Sequence, residues 1–260
     1  VEMHSASRRW VLWVLLAALG AVPPGLTFAA GEAPAARGGV PATRVAVLPA
    51  RVSGTYAVLR GDDGFEIGRI GFEWRRDGDR YEAQSVTETT GVVALFSKAR
   101  VVQASRGEIA AEGLRPLDFR HEKPKGREHA TLDWARRTVS YRDRVEPLPP
   151  GTQDPVSMYF QIALRLAGRD AARAAATAIE LPIATGTKLE TYRFSAPGET
   201  MLKTAAGDVP AWHTATRNGD DSIELWYAMR GGWLPLRIRI GNGKGEVYDQ
   251  RLIDEAPGGR

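Results

Sequence analysis

The sequence contains no cysteine among its 260 residues. This absence excludes disulfide bonds, zinc–thiolate and iron–sulfur sites, thiol catalysis and lipid attachment through an N-terminal cysteine. Histidine is scarce as well, with four residues in the chain. The closest pair in the sequence, His121 and His129, matches no spacing used by zinc sites. The sequence therefore predicts neither a metal site nor a cofactor.

Charge of one sign is not concentrated in any long segment. Lysine and arginine number 35 against 31 acidic residues, which gives a formal net charge of +4. The one locally basic segment, residues 120–127, contains a proline and a glycine and is predicted to be a solvated hairpin loop. Nothing resembles a nucleic-acid-binding module, so we expect no nucleic-acid partner.

No group of residues in the sequence forms a recognisable catalytic constellation. There is no Gly-x-Ser-x-Gly motif of the serine hydrolases. His213 lies beside Trp212 in a predicted strand, and the paired acids Asp62-Asp63 and Asp220-Asp221 lie in predicted turns. A glycosidase needs two carboxyl groups facing each other across a cleft, which these positions do not indicate. We assign no catalytic residues and rank a hydrolase last among the functions considered.

The sequence has no apolar run long enough to cross a membrane, which takes about 20 residues. The apolar run at residues 10–22 has 13 residues, follows Arg8-Arg9 and ends at Pro23-Pro24. Small residues at Thr27 and Ala29 complete the pattern of a cleaved secretory signal peptide over residues 1–29. We therefore expect a periplasmic protein without a transmembrane span. The residues that flank Arg8-Arg9 do not extend the twin-arginine motif well, so the general secretory route is favoured over the twin-arginine route.

The rest of the chain divides by composition into three parts. Residues 30–43 are rich in alanine, glycine and proline and predict a flexible lead-in, and residues 256–260 form a tail. Residues 44–255 predict a single β-rich domain, because short alternating segments are separated by turn residues every 8–12 positions. A bulge is predicted at Gly68, and residues 91–97 predict either a helical turn or a buried corner.

One apolar helix interrupts the predicted strands after the sixth or seventh of them, and about six more strands follow. Asp154-Pro155 supplies an N-cap and a first-turn proline, the helix covers residues 156–167, and Gly168 ends it. Polar residues occupy one narrow stripe of this helix, so it should be buried on several sides. An alanine-rich piece over residues 170–178 is predicted to continue it. The predicted fold class is β-dominated α+β, a strongly curved antiparallel sheet or incomplete β-barrel that encloses the helix.

The order of several motifs resembles a bacterial family of unknown function, DUF3108. The resemblance implies a secreted, periplasmic, β-rich protein and supplies no catalytic residues. At the level of the fold alone, a curved sheet around a helix is also similar to periplasmic lipoprotein carriers. The motifs are Tyr56-Ala57-Val58 with Ile67-Gly68-Arg69-Ile70-Gly71, Gly107-Glu108-Ile109 with Gly113-Leu114-Arg115-Pro116, Gln153-Asp154-Pro155-Val156-Ser157, and Glu224-Leu225-Trp226-Tyr227-Ala228 with Leu234-Pro235-Leu236-Arg237-Ile238.

Aromatic residues interleaved in the strands, together with the apolar helix, suggest a binding surface inside the curved sheet. The leading hypothesis is a non-enzymatic, monomeric carrier for an apolar or lipid-like ligand at the cell envelope. The alternative is an adaptor that binds an envelope protein through its outer surface, which a completely filled interior would favour. The candidate ligand-binding residues are Trp74, Tyr159, Phe160, Arg165 and Trp226.

Overall fold

The computed structural model describes residues 48–61, 64–96, 98–167, 177–230 and 232–257. The predicted signal peptide and lead-in, and nearly all of the alanine-rich piece after the helix, lie outside the described residues. No helix in the described part of the chain combines the length and the apolarity needed to cross a membrane.

Two helices and fifteen strands make up the regular structure of the described residues. The helices are α1, Gly91–Phe96, and α2, Ser157–Ala167. The strands before α2 are β1 Arg51–Arg60, β2 Glu66–Asp77, β3 Arg80–Thr89, β4 Arg100–Ala110, β5 Gly113–Lys123, β6 Gly126–Asp133, β7 Thr138–Ser140 and β8 Val145–Pro147. Those after it are β9 Ile179–Ala184, β10 Leu189–Phe194, β11 Gly198–Thr204, β12 Gly207–Asn218, β13 Asp221–Ala228, β14 Pro235–Gly241 and β15 Val247–Pro257.

Thirteen of these strands form one antiparallel sheet in the order β11-β12-β13-β14-β15-β1-β2-β3-β4-β5-β6-β7-β8. The first and last strands of the sequence pair with each other, so two meanders join at β1 and β15. Strands β9 and β10 form a separate two-stranded sheet. Among the described residues β11 and β8 do not pair, so the sheet remains open, and the predicted β-dominated fold is confirmed.

The sheet curves because distant strands contact the same short helix. Tyr227 of β13 donates a hydrogen bond to the Tyr159 carbonyl of α2 at 3.0 Å, and the Leu114 amide of β5 donates to Gln161 Oε1 at 2.8 Å. In a flat sheet β13 and β5 would lie about 34 Å apart. An 11-residue helix is about 16 Å long, so the sheet must bend around it.

Of the predictions for single segments of the chain, some are confirmed and others are wrong. The register of β1 and β2 shifts between Val58 and Leu59, opposite Gly68, which confirms the predicted bulge. Of the segment predicted at residues 91–97, residues 91–96 form the short helix α1. Val92 and Leu95 are exposed, so the buried-corner alternative is wrong. The structure has eight strands before α2 and seven after it, against six or seven and about six predicted. The three residues of β8 and the central Pro182 of β9 give weak strand patterns.

The predicted hairpin over residues 120–127 is present as the turn between β5 and β6, but its histidine, His121, is not solvated. His121 is buried on the inner face of β5, and its Nδ1 lies 3.2 Å from Glu128 Oε2. Burial lowers the pKa of His121, although the Glu128 carboxylate opposes that effect. His129, on the outer face, lies 2.6 Å from Asp118 Oδ2.

Two strand glycines give a matched test of this packing. A Cβ at Gly107 in β4 would lie 2.2 Å from the Arg115 carbonyl oxygen and 2.7 Å from the Tyr81 ring, whereas a Cβ at Gly71 in β2 would meet nothing within 4 Å. We expect Gly107→Ala to lower the free energy of unfolding by about 2–3 kcal/mol, because backbone must move. Gly71→Ala should raise it by up to about 1 kcal/mol. Urea unfolding of both variants measures the difference, and equal stabilities would contradict this packing.

Candidate functional site

The N-terminal end of α2 is held in the sheet by a buried polar network. Asp154 Oδ1 accepts hydrogen bonds from the amides of Val156 and Ser157 at 2.8 and 2.9 Å, which confirms the predicted N-cap. Its other oxygen, Oδ2, accepts a 2.5 Å hydrogen bond from Ser105 of β4. The Ser105 hydroxyl also lies 3.1 Å from the hydroxyl of Tyr81 in β3. The cap thereby fixes the helix to two strands.

Burial changes the acidity of this network. Removal of the Asp154 carboxyl from water raises its pKa to about 6, although hydrogen bonds from Ser105 and from the helix amides act in the opposite direction. Burial likewise raises the pKa of Tyr81 well above its usual value, and the Asp154 charge adds to this effect. Asp154 and Ser105 have no exposed surface, so no substrate can reach them. The network therefore positions α2.

Two buried glutamines connect α2 to the start of β5. Gln161 on the helix accepts from the Leu114 amide, and Gln153 Nε2 donates to the Leu114 carbonyl at 2.9 Å. A Cβ at Gly113 would lie 2.4 Å from Gln161 Oε1, so this glycine permits the close approach. Several of the motifs quoted for the family resemblance thus meet around one end of the helix.

Trp74 and Phe160, two of the predicted ligand-binding residues, lie in the packed core. The Trp74 ring stacks on Phe160 with centroids 4.4 Å apart and on Tyr81 at 4.9 Å. The Trp74 indole N–H donates to the Pro49 carbonyl at 3.0 Å. Trp74 is 1% exposed and Phe160 is fully buried. These rings fill the space between α2 and strands β2 and β3.

Tyr159 and Arg165 lie elsewhere on α2. Tyr159 is partly buried, and its ring contacts Phe72 edge-on with centroids 5.6 Å apart. Arg165 is partly exposed near the C-terminal end of the helix, where its Nη1 lies 3.4 Å from the Glu180 carbonyl. The polar stripe of the helix thus has a buried part, Ser157 and Gln161, and a wet edge at Arg165.

Trp226 lies on the outer face of the sheet, away from α2. Its neighbours along β13, Leu225 and Tyr227, point into the core and are at most 1% exposed. The Trp226 ring stacks on His213 with centroids 4.5 Å apart, and the Arg237 guanidinium lies 5.2 Å from its centroid. The five predicted residues therefore do not form a single site.

Ion pairs surround Trp226 on this outer face. Arg237 makes a bidentate pair with Asp249 at 2.7 and 3.0 Å, and Arg251 contacts the same carboxylate at 2.7 Å. Glu224 accepts from Arg239 at 2.9 Å and lies 3.2 Å from His213 Nε2. Arg237 and Arg239 of β14 lie on the outer face, partly covered by these contacts.

A small apolar pocket lies beside the C-terminal half of α2, on the inner side of β12 and β13. Its volume is about 130 Å³. Trp212 and Tyr227, which are cross-strand partners, contribute buried walls, and Trp233 contributes a partly buried one. The lining residues are Ala163, Leu166, Ala167, Trp212, Tyr227, Ala228, Met229, Gly232 and Trp233. We call this cavity the apolar pocket.

None of the five predicted residues lines the apolar pocket, so sequence reasoning missed its walls. Trp212 lay within a predicted strand, and Trp233 lay directly before one. The local pattern assigned Trp212 to a strand without saying which residues of α2 it would meet. The pocket depends on the crossing of α2 over β12 and β13, and no local pattern encodes that crossing.

These features define a class of protein: an open, curved antiparallel sheet whose concave side is largely filled by one capped apolar helix. The sequence matches, over residues 53–250, the family described as "Protein of unknown function (DUF3108)". The match covers most of the chain, and the protein belongs to this family. The resemblance stated from the motifs is thereby confirmed.

Two solved structures are similar to this chain at low sequence identity. One is a β-barrel-like protein of the domain of unknown function DUF1849 from Brucella abortus, with 13% identity, 80% of this chain and 97% of that chain covered, and a TM-score of 0.49. Another is the hypothetical protein CT021 from Chlamydia trachomatis, with 10% identity, 84% and 92% coverage and a TM-score of 0.31. No curated protein matches the chain.

Proposed function

We propose that this protein is a non-enzymatic binding protein of the cell envelope that takes one small apolar group into the apolar pocket. The observation that carries the proposal is the lining of that pocket. Two tryptophans, a tyrosine, a methionine and a leucine converge there with small alanines and a glycine. Aromatic and aliphatic walls of this kind bind apolar groups because binding removes apolar surface from water.

The size of the pocket limits the ligand. A volume of about 130 Å³ is close to that of apolar cavities of about 150 Å³ that bind a benzene ring. Pockets for whole drug-sized molecules are larger, about 300–1,000 Å³. The ligand is therefore an aromatic ring or the end of an acyl chain, with the remainder of the molecule outside. A carrier that encloses a complete lipid is not supported, because α2 occupies that space.

The tryptophans differ in whether their indole N–H group has an acceptor. The indole N–H groups of Trp74 and Trp134 donate to backbone carbonyls at 3.0 and 2.7 Å. Among the described residues, those of Trp212 and Trp233 have no such acceptor. An amphipathic ligand that carries a carbonyl or carboxylate oxygen beside its apolar part would supply one. Medium-chain fatty acids have this chemistry.

The cellular location is part of the proposal and depends on the N-terminal sequence. The basic pair Arg8-Arg9, the apolar run of residues 10–22 and the small residues before Ala30 support export to the periplasm. In that location the ligand would be an envelope molecule that carries an acyl or aromatic group. Membrane fractionation with a periplasmic marker tests the location independently of binding.

Decanoic acid binding tests the pocket directly, with intrinsic tryptophan fluorescence and calorimetry as readouts. We expect Ala167→Leu, which adds apolar volume at the pocket, and Trp233→Ala, which removes one wall, each to weaken binding about tenfold or more. Trp226→Ala is the matched control, because it removes the same side chain from the outer face. Native mass spectrometry of the protein purified from the periplasm, followed by organic extraction, identifies any natural ligand.

Three outcomes would overturn the proposal. One is a native protein that takes up neither decanoic acid nor a simple aromatic compound such as indole. Another is binding that Ala167→Leu and Trp233→Ala leave unchanged while both variants remain folded by circular dichroism. The third is a loss of binding in Trp226→Ala equal to that in Trp233→Ala.

The adaptor hypothesis remains as a second candidate because of the outer-face position of Trp226. Tryptophan and arginine are the residues most enriched at the centres of protein interfaces, and here Trp226 lies between His213 and Arg237. Binding of an envelope protein at this face would be abolished by Trp226→Ala and unaffected by Trp233→Ala. This is the reverse of the pattern expected for the apolar pocket, so the same two variants distinguish the candidates.

A further inference from the structure

A second cavity lies on the outer face of the sheet, across β15, β1, β2 and β3. Its volume is about 370 Å³, within the usual range for small-molecule sites. Gly71 in the centre of β2 forms its floor, with Ser53 and Thr55 of β1 beside it. We call this cavity the outer groove. It lies on the opposite face from α2 and the apolar pocket, because Phe72, next to Gly71, points towards the helix.

Gly71 is unlike the other glycines within these strands. A Cβ at Gly54 would lie 2.7 Å from Leu234, and one at Gly68 would lie 2.6 Å from the Glu88 carbonyl, so packing requires glycine at both positions. Gly71 has ordinary extended backbone, and a Cβ there would meet nothing within 4 Å. Glycine weakens a strand interior, and it often marks a place where a ligand approaches the backbone closely. The fold does not need this glycine, but an open groove does.

Two carboxylates flank the outer groove. Glu73 follows Gly71 by two residues on the same face of β2, and Asp254 of β15 is the cross-strand partner of Thr55. Both side chains are exposed, and neither has an ion pair or side-chain hydrogen bond among the described residues. Glu88 of β3, by contrast, is paired with Arg100 at 3.1 Å.

The distance between the two carboxylates indicates the kind of ligand. Glu73 pairs with Ser53, two residues along β1 from Thr55, so the Cα atoms of Glu73 and Asp254 are about 12 Å apart from strand spacing and rise. The hydroxyls of Ser53 and Thr55 on β1 lie between the two acids, and the amide of Gln84 on β3 lies on the other side of Glu73. Ammonium groups donate to carboxylates, hydroxyls and amide oxygens. A molecule with cationic nitrogens at both ends and one in the middle matches this arrangement.

We propose that the outer groove binds a linear polyamine, with one terminal ammonium group at Glu73, the other at Asp254 and the chain over Gly71. Spermidine spans a comparable length when extended. The Arg100 guanidinium at one margin of the groove is paired with Glu88 at 3.1 Å. The proposal does not depend on the apolar pocket.

Isothermal titration calorimetry of the purified full chain with spermidine tests this site at low ionic strength. We expect saturable binding with one molecule per chain, and at least tenfold weaker binding of butylamine, which has a single cationic nitrogen. Gly71→Gln fills the groove without a change in charge and should abolish binding. Glu73→Gln and Asp254→Asn should each weaken binding about tenfold. Because the carboxylates are exposed, the affinity should fall as salt is added.

Glu199→Gln is the control for overall charge, since it removes one exposed carboxylate on β11, far from the groove in the strand order. It should leave spermidine binding unchanged. The proposal is overturned if the native chain shows no saturable heat, if Gly71→Gln binds as well as the native chain, or if Glu199→Gln weakens binding as much as Glu73→Gln. Decanoic acid binding by Gly71→Gln should stay normal, which separates failure of this site from failure of the apolar pocket.

Discussion

Phe160→Ala is expected to lower the free energy of unfolding by about 3–5 kcal/mol, the range for deletion of a fully buried aromatic side chain. The Phe160 ring lies at the centre of the fold, stacked on Trp74 at 4.4 Å and within 6.3 Å of Phe72. Its loss leaves a cavity between α2 and β2 that surrounding rings cannot close, because Trp74 is fixed on its other side by Tyr81. Urea denaturation followed by far-UV circular dichroism measures the change.

Two further variants calibrate this result. Phe160→Leu keeps most of the apolar volume and should lose less stability than Phe160→Ala, which also covers the case in which the alanine variant does not fold. Trp226→Ala should cost no more than about 1 kcal/mol, since the ring is on the outer face and contributes stacking contacts alone. A loss on Trp226→Ala equal to that on Phe160→Ala would contradict the assignment of the two rings to different faces.

Asp154→Asn is expected to remove a pH dependence of stability that the native protein shows between about pH 4 and pH 7. Burial raises the pKa of Asp154 from 3.8 to about 6. Below pH 3.8 the carboxyl is protonated in the folded and unfolded states alike, and its full contribution to stability is present. As the pH rises through 6, the unfolded state is already ionised while the folded state resists ionisation. The free energy of unfolding therefore falls by about 3 kcal/mol over this window.

Comparing the native protein with Asp154→Asn separates the effect of the Asp154 carboxyl on the pH dependence of stability from the effects of the other titrating residues. Asparagine keeps an oxygen that can accept from the amides of Val156 and Ser157, and it carries no ionisable proton. The difference in unfolding free energy between the two proteins should shift by about 3 kcal/mol in favour of Asp154→Asn from pH 4 to pH 7. A constant difference across this range would show that the carboxyl titrates normally. Asp154→Ala, without any acceptor, should be less stable than Asp154→Asn at every pH.

Local sequence patterns predicted the elements that depend on local chemistry. Alternation of apolar and polar residues gave most of the strands, because each strand has one face on the core. Asp154-Pro155 gave the start of α2, because a helix needs a capping acceptor wherever it lies. The shorter strands β8 and β9 were missed, since three residues or a central proline carry too little of this pattern.

The placement of candidate site residues could not be predicted in the same way. Trp74 lies between Glu73 and Arg75 and in phase with Phe72, which agrees with its place in the core. Trp226 lies between the apolar Leu225 and Tyr227, and that local pattern did not say which face of β13 it would occupy. Which face of a strand is inner depends on how the whole sheet curves, and a single residue of register reverses it. His121 was expected in a solvated loop, but β5 continues to Lys123 and the turn begins at residue 124. His121 is therefore a strand residue, and its ring is buried on the inner face.

The amino-acid sequence by itself determined the β-dominated class, the single apolar helix with its cap, the absence of cysteine chemistry and the membership of a family without a known activity. The tertiary structure decided where the cavities of the described residues lie. The apolar pocket forms where α2 lies against β12 and β13. The outer groove forms because strand pairing places Ser53, Glu73 and Asp254 around Gly71. Both sites join residues far apart in the sequence, and strand pairing and helix packing alone bring such residues together.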